Sequence, residues 1–422
     1  MRCKQRQAKD DMKIDGGRIM PGMQLGWVDF SKEQKNKVLS VIDLISEPGA
    51  VDELGVGIVR DAFSDIFFPG TSTIQTRAKY FIIVPYLLYE LENDRRMTPD
   101  RMIEKLHEEE LEFIEVLKKS GEDGVIGGNA GKKLKRKPSE IYWNGLRTYD
   151  IFTGGRMSMY DYAKVSCFIT DKKNKTLSLG NPSDRNEENS GDDLDAVDSE
   201  FADGFWRLPK DYDRKTWRQS LSIKLTKAEA EFLRNQIIEN CPGTLMAYVL
   251  ETKLSRFNLL KTFDDLDEIA NSLPEGIRKD YYLAKTFADF IYGTHIRYNV
   301  ILSKGENEDI ITQWDRWREN IYSYSQVDLD AIVYGKLKSR NRRLEKFLYE
   351  CRRAMIDKDI DKLDRLIISR EIDLKGRSRS KLYNAHEFNY KGWVGIGKLQ
   401  YRLRDAQNIL RDIFEGLGEM NA

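Results

Sequence analysis

Residues 71–92 read TSTIQTRAKYFIIVPYLLYELE, and this stretch decides the fold class. Its large apolar side chains recur at the spacing of an α-helix, in which every third or fourth residue lies on one face. Those side chains are Ile74, Tyr80, Phe81, Val84, Leu87 and Leu88. Thr71, Ser72 and Thr73 come first, and such hydroxyls cap free amides at a helix start. The pattern predicts a helix that begins at these hydroxyls and that Pro85 kinks or ends early.

Helical patterns continue on both sides of this stretch. They cover residues 31–45, 58–67, 98–119 and 138–146 in the first half, and residues 226–240, 242–254, 281–302, 310–322, 327–354, 360–367 and 400–417 in the second. Two short segments, residues 164–169 and 175–179, could pair as a hairpin. The sequence therefore predicts a mainly α, multi-helix fold with two or more domains and at most a small β hairpin.

The length of 422 residues predicts more than one domain, because a typical domain holds on the order of 150 residues. Residues 1–22 are polar and aperiodic, which predicts a disordered tail. Residues 23–183 then form an N-terminal helical domain with a glycine-rich and basic loop. Residues 184–204 are acidic with few bulky apolar side chains, so they predict a flexible loop. Residues 205–422 form a C-terminal helical domain.

The overall composition excludes several classes of protein. Lys plus Arg (69) and Asp plus Glu (69) balance, so any site for a polyanion must be a local patch. The four cysteines lie far apart without a CxxC pair, which argues against a zinc site and a disulfide framework. No apolar run reaches the roughly 18 residues that a membrane span needs. We expect a cytoplasmic chain with no metal, no cofactor and no membrane partner.

The three histidines fall in different predicted elements, and none has a catalytic partner at a recognisable spacing. His107 precedes three glutamates on a charged helix, which predicts a surface position. His295 lies among aromatic and aliphatic residues, which predicts a hydrogen-bonded histidine in the core. His386 lies next to a basic cluster, and of the three histidines it is the candidate for a functional role.

The first feature with the chemistry of polyanion binding is the basic run at residues 132–137. Five of its six residues are cations, namely Lys132, Lys133, Lys135, Arg136 and Lys137. Trp143 and Arg147 follow on a short predicted helix. Mobile cations beside an aromatic ring can neutralise phosphates and stack bases. A solvated charge run without a ligand is the alternative interpretation.

A second basic cluster, Arg377, Arg379 and Lys381, lies in the loop-like sequence GRSRSK, which suits contacts to a phosphate backbone. A third candidate is the start of the predicted helix at Thr71, Ser72 and Thr73. Its amides and hydroxyls could hold a phosphate, with Arg77 one turn further on. Ordinary capping of the helix explains the same hydroxyls, so both interpretations stay open.

Several phrases together resemble one family of bacterial proteins. They are LGWVDFS at residues 25–31, RDAFSDIFFPGTSTIQTRAKYFIIVPYLLYELE at residues 60–92, PSEIYWNGL at residues 138–146, AKTFADFIYGTHIRYNVIL at residues 284–302 and YRLRDAQNILRDIFEGL at residues 401–417. The family is the domain of unknown function 6361, for which no catalytic residues are assigned. The resemblance implies a genomic context, since such proteins accompany helicases and phospholipase-D-like nucleases in bacterial defence islands.

These observations lead to one main hypothesis and two alternatives. The main hypothesis is a non-enzymatic accessory component of an anti-phage defence system that binds DNA or scaffolds a helicase and a phospholipase-D-like nuclease. The first alternative is a nuclease or hydrolase whose acidic and histidine residues converge only in three dimensions. The second is a structural interaction protein without nucleic-acid contact.

Overall fold

Helix α2 (Tyr80–Glu92) is the central element of the first half of the fold. Nearly all of its side chains are buried, from Tyr80 to Leu88 and again at Leu91, so the helix faces protein on every side. Neighbouring helices α3 (Pro99–Lys118), α4 (Pro138–Thr148) and α5 (Met159–Ser178) pack around it. The helix also continues through Pro85 to its last turn, so the predicted early end does not occur.

The structure is a computed structural model that describes residues 52–94, 97–178 and 204–419, without the side chains of residues 132 and 173–178. The remaining helices are α1 (Gly57–Phe67), α6 (Lys227–Asn240), α7 (Leu245–Glu251), α8 (Glu275–Leu302), α9 (Glu308–Arg318), α10 (Ile321–Tyr324), α11 (Leu329–Gly335), α12 (Arg342–Ile356), α13 (Ile360–Lys375) and α14 (Leu403–Leu417). Short 3₁₀-helices lie at Gly131–Lys133, Ser255–Leu259, Phe263–Glu268 and Ala270–Ser272. The predicted mainly α fold class is confirmed.

Two local predictions are wrong. The first strand of the suggested hairpin, residues 164–169, lies inside α5, and so do residues 175–178 of the second. The single helix predicted at residues 327–354 is divided into α11 and α12. It is divided because the Asn341 side chain accepts a hydrogen bond from the Leu344 amide and so begins a new helix. β-type pairing within the described residues is limited to an isolated bridge between Phe152 and Trp206.

The second half of the fold is built around two helices. Helix α8 packs against α9, α13 and α1, and helix α14 packs against α6 and α7. The described residues of both predicted domains belong to the same compact unit, Asp52–Ala422. The predicted boundary at residues 184–204 lies outside the described residues except for Gly204, so the division into two domains stays a prediction. The predicted tail at residues 1–22 and the helix at residues 31–45 also lie outside them.

The segment before α2, residues 71–79, is irregular, so the prediction of a helix start at Thr71, Ser72 and Thr73 is wrong. Its backbone amides bond to side chains from distant parts of the chain. The Thr76 and Arg77 amides donate to the Tyr142 hydroxyl at 2.9 and 3.2 Å, and the Ala78 amide donates to Asp412 at 2.7 Å. Because these partners hold the backbone, the helix begins only at Tyr80.

Two buried ion pairs attach this segment to the second half of the chain. The Arg77 Nε donates to both carboxylate oxygens of Asp412 on α14, at 3.0 Å each. The Lys79 Nζ lies 2.6 Å from the Glu229 carboxylate on α6. Side-chain exposure is below 10% for all four residues. Charges so deeply buried are tolerated only as pairs, so each member depends on the other.

We predict that Arg77→Ala lowers the free energy of unfolding by about 3–5 kcal/mol, because it leaves Asp412 buried without its cation. Denaturant unfolding monitored by circular dichroism measures the change. Arg101→Ala on α3 is the matched control, since that side chain is 49% exposed and its ion pairs contribute little. A stability loss in Arg77→Ala no larger than that in the control would contradict the assigned role.

Candidate nucleic-acid interface

The first basic run begins within a 3₁₀ turn at Gly131–Lys133 and leads directly into α4. Lys133 and Lys135 are exposed and Arg136 is half-buried. Lys137 turns inward, and its Nζ donates to the Leu134 carbonyl at 2.6 Å. The side chain of Lys132 lies outside the described residues. Solvent therefore reaches part of the run, while its last cation closes the turn.

Trp143 and Arg147 on α4, which were predicted to bind nucleic acid together with this run, contact other parts of the protein instead. Trp143 is 8% exposed, and its ring packs against Phe152 and Trp206 while its Nε1 donates to the Met157 carbonyl. The Arg147 Nε donates to the Gly155 carbonyl at 3.0 Å. Trp143 therefore belongs to the core in this conformation, and stacking on a base would require the ring to leave it.

A buried carboxylate that the sequence did not single out anchors the first run. Glu110 on α3 is 3% exposed and accepts hydrogen bonds from the Ser139 amide at 2.5 Å and the Ser139 hydroxyl at 3.0 Å. Burial raises the pKa of Glu110 to about 8, although the bonds from Ser139 act in the opposite direction. One turn earlier, His107 is half-buried with an unpartnered Nε2 rather than on the surface as predicted.

The second basic loop begins where Gly376, with a φ of 75°, ends α13. Glu371, which is fully buried, holds this loop by accepting from the Tyr298 hydroxyl, the Ser380 hydroxyl and the Leu382 amide at 2.7, 2.7 and 2.8 Å. A carboxylate with three such donors fixes the backbone on either side of the loop's last cation.

The three cations of this loop differ in their contacts. Arg377 and Arg379 are exposed. The Arg377 guanidinium lies over the Tyr383 ring at 5.5 Å, and the Arg379 Nε donates to the Lys375 carbonyl at 2.9 Å. The Lys381 Nζ lies 2.7 Å from the buried carboxylate of Glu53 and is already paired. Two of the three predicted cations therefore remain open to a phosphate.

The third candidate does not form a phosphate cradle at a helix start. The Thr71 hydroxyl donates to the Phe68 carbonyl at 2.6 Å, the Ser72 hydroxyl is buried without a partner, and Thr73 is exposed. Arg77 is 8% exposed, and besides Asp412 it contacts the Asp123 carbonyl in the glycine-rich loop at 2.9 Å. A phosphate at Arg77 would have to displace the buried carboxylate of Asp412.

The other two histidines lie apart. His295 is 5% exposed, which confirms the predicted core position, but its Nδ1 has no hydrogen-bond partner. Burial lowers the pKa of His295, against the influence of Asp52. His386 is exposed, with its Nε2 3.3 Å from Glu387. The described residues contain no group of three or more histidine, cysteine or acidic side chains that could hold a metal ion.

Comparison with known proteins gives one match. The model of the family described as "Family of unknown function (DUF6361)" matches residues 23–207, which confirms the resemblance to that family over this part of the chain. No curated protein and no solved structure matches the chain. Among the described residues, no helix combines the length and the apolar character that crossing a membrane requires.

We predict that Glu110 makes stability depend on pH. The pKa of Glu110 is about 8 in the folded chain and about 4.3 for a glutamate in the unfolded chain. The stability that the neutral carboxyl contributes is therefore complete below the unfolded pKa and is lost as the pH rises towards 8. The variant Glu110→Gln cannot ionise at this position, so it does not lose stability in this way. The free energy of unfolding of the variant minus that of the natural chain should therefore rise by up to about 1.4 kcal/mol per pH unit across this window.

Urea unfolding at several pH values between 5 and about 8 measures this dependence. Glu104→Gln, on the same helix with a side chain 67% exposed, is the control and should follow the natural chain. Parallel curves for Glu110→Gln and the natural chain would show that the buried carboxyl does not titrate in this range.

Proposed function

We propose that this chain is a non-enzymatic component of a bacterial anti-phage defence system, on the basis of its resemblance to the family of unknown function over residues 23–207. We also propose that it binds DNA through two basic loops, namely the basic run at residues 132–137 and the loop at residues 376–381. Its proposed protein partners are a helicase and a phospholipase-D-like nuclease of the same system, and its proposed compartment is the cytoplasm. The defence context comes from the resemblance, and the DNA contact comes from the charges on the loops.

One observation carries the proposal for DNA. Lys133, Arg136, Arg377 and Arg379 make no ion pair with a carboxylate within the described part of the chain. Many other cations of this balanced chain have such a partner, as Arg218 has in Glu90 and Glu109. A cation without a carboxylate can neutralise a phosphate without first breaking an existing pair, and the release of counterions then drives binding.

The anchoring of the loops supports the same proposal. Glu110 fixes the helix that follows the first loop, and Glu371 fixes the second loop from inside the fold. A cation on a loop held in this way loses less conformational freedom when it binds, so more of the electrostatic gain remains as affinity. Contacts of this kind go to the backbone of DNA and carry no base sequence.

The proposal favours binding over catalysis because of where the histidines lie. A nuclease or hydrolase needs a base within hydrogen-bond reach of the group that it activates. His295 is enclosed in the core near Asp52, whereas His386 is 71% exposed beside Glu387 on the surface. Because one histidine is enclosed and the other is on the surface, the pair does not support a shared catalytic site, and the proposal favours binding.

We predict that the natural chain binds a DNA duplex without sequence preference and that affinity falls steeply with salt. The combined variant Lys133→Ala, Arg136→Ala, Arg377→Ala and Arg379→Ala should bind more weakly. It should also show a salt dependence smaller by about 0.9 in log–log slope for each phosphate that it no longer neutralises. Fluorescence anisotropy with a labelled random-sequence duplex, at several salt concentrations, measures both quantities.

A matched control removes four cations elsewhere, Lys227, Lys279, Lys346 and Arg353, whose side chains are 70–75% exposed. This control lowers the net charge equally but should keep most of the affinity. Equal reductions of affinity in the two variants would show that only net charge matters, and binding that ignores salt would refute the electrostatic mechanism.

A further inference from the structure

An open groove lies between the 3₁₀ turn at Ser255–Leu259 and helix α14. Its volume of about 350 Å³ is in the range of sites for small ligands, which are typically about 300–1,000 Å³. Residues 258–261 form one wall, and one face of α14 forms the other. The groove uses residues of neither basic loop, so it is a separate feature of the surface.

The charge of the groove has a single sign. Lys261, Arg404 and Arg411 line it, and none of the residues that line it is acidic. All three cations are exposed, and within the described residues none forms an ion pair with a carboxylate. Arg404 and Arg411 are seven positions apart on α14, about two helical turns, and therefore share a face. The Arg411 Nη2 donates only to the Asn408 amide oxygen at 2.8 Å, which is a neutral partner. Three cations without a carboxylate partner around one open volume favour a ligand that carries phosphate.

The wall opposite α14 is held in place by a buried amide. The Gln407 Nε2 donates to the Phe257 and Leu260 carbonyls at 2.9 Å each, and this residue is 9% exposed. These two hydrogen bonds fix the 3₁₀ turn against helix α14. The backbone of the turn is therefore fixed against α14 before any ligand arrives, which lowers the entropic cost of binding.

Two neighbouring residues favour a nucleotide over an inorganic anion. The side-chain Nδ2 and Oδ1 of Asn258 are both buried and both lack a hydrogen-bond partner. A turn of this amide towards the groove would present a donor and an acceptor side by side, the pair with which Asn recognises adenine. Leu259, which is 78% exposed, offers an apolar surface at the same edge.

We infer that this groove binds an adenine nucleotide, either free or as part of a single strand. Lys261, Arg404 and Arg411 contact the phosphate, and Asn258 contacts the edge of the base. This inference goes beyond the proposed function, since the loops that contact duplex DNA contribute nothing to the groove.

Calorimetric titration of the full chain with adenosine monophosphate, adenosine, inorganic phosphate and a single-stranded hexamer of deoxyadenylate tests the inference. We expect binding of the monophosphate to be about tenfold weaker in Arg404→Ala and in Arg411→Ala, because each removes one charge-assisted contact. Asn258→Ala should weaken binding of the monophosphate and leave that of inorganic phosphate unchanged. Arg256→Ala removes an exposed cation of the same turn that does not line the groove, and it should bind like the natural chain.

The two sources of the ligand are separated by comparing the hexamer with the monophosphate. Much tighter binding of the hexamer assigns the groove to a strand, and equal affinities assign it to a free nucleotide. No binding of either ligand, or equal binding by Arg404→Ala, Arg411→Ala and Arg256→Ala, would overturn the inference. Duplex affinity distinguishes the two proposals, because it should remain in the groove variants and fall in the loop variants. Thermal melting of each variant confirms that the fold is intact.

Discussion

Burial of the irregular segment at residues 71–79 is the constraint on which the rest of the described fold depends. The segment carries two cations, Arg77 and Lys79, into the interior, where an unpaired charge would cost several kcal/mol. Asp412 on α14 and Glu229 on α6 neutralise them. The central position of α2 therefore depends on both helices, which couples the first half of the chain to its last helix.

The same use of buried carboxylates recurs where the basic loops meet the core. Glu110 holds the start of α4 next to the first loop, and Glu371 holds the chain after the second. Each acidic group binds backbone and hydroxyl donors rather than the exposed cations of its loop. The arrangement leaves Lys133, Arg377 and Arg379 exposed at the surface while the backbone beside them is fixed, which is what an electrostatic contact to a polyanion requires.

The basic residues thus differ in their surroundings. Arg77, Lys79 and Lys381 form ion pairs with buried carboxylates and stabilise the fold. Other cations lie open on three surfaces, namely the two basic loops and the groove beside α14. A chain whose total charge is balanced can therefore still present local positive surfaces, because pairing is uneven along it.

The sequence by itself determined the fold class and most helices. Helix α3 was predicted at residues 98–119 and lies at Pro99–Lys118, and α14 was predicted at residues 400–417 and lies at Leu403–Leu417. Both helices are amphipathic, so the local spacing of their apolar residues is enough to predict them. The basic runs could likewise be located from composition alone.

Only the tertiary structure decided where α2 begins, which cations are paired and which aromatic rings are buried. The start of α2 moved to Tyr80 because Tyr142 and Asp412 bind the preceding amides. Trp143 joined the core, and Glu371 could not be told apart from the other acids of a chain that has 69. The physical reason is distance along the chain: the Arg77–Asp412 pair spans 335 positions, and no local pattern encodes a contact between residues so far apart.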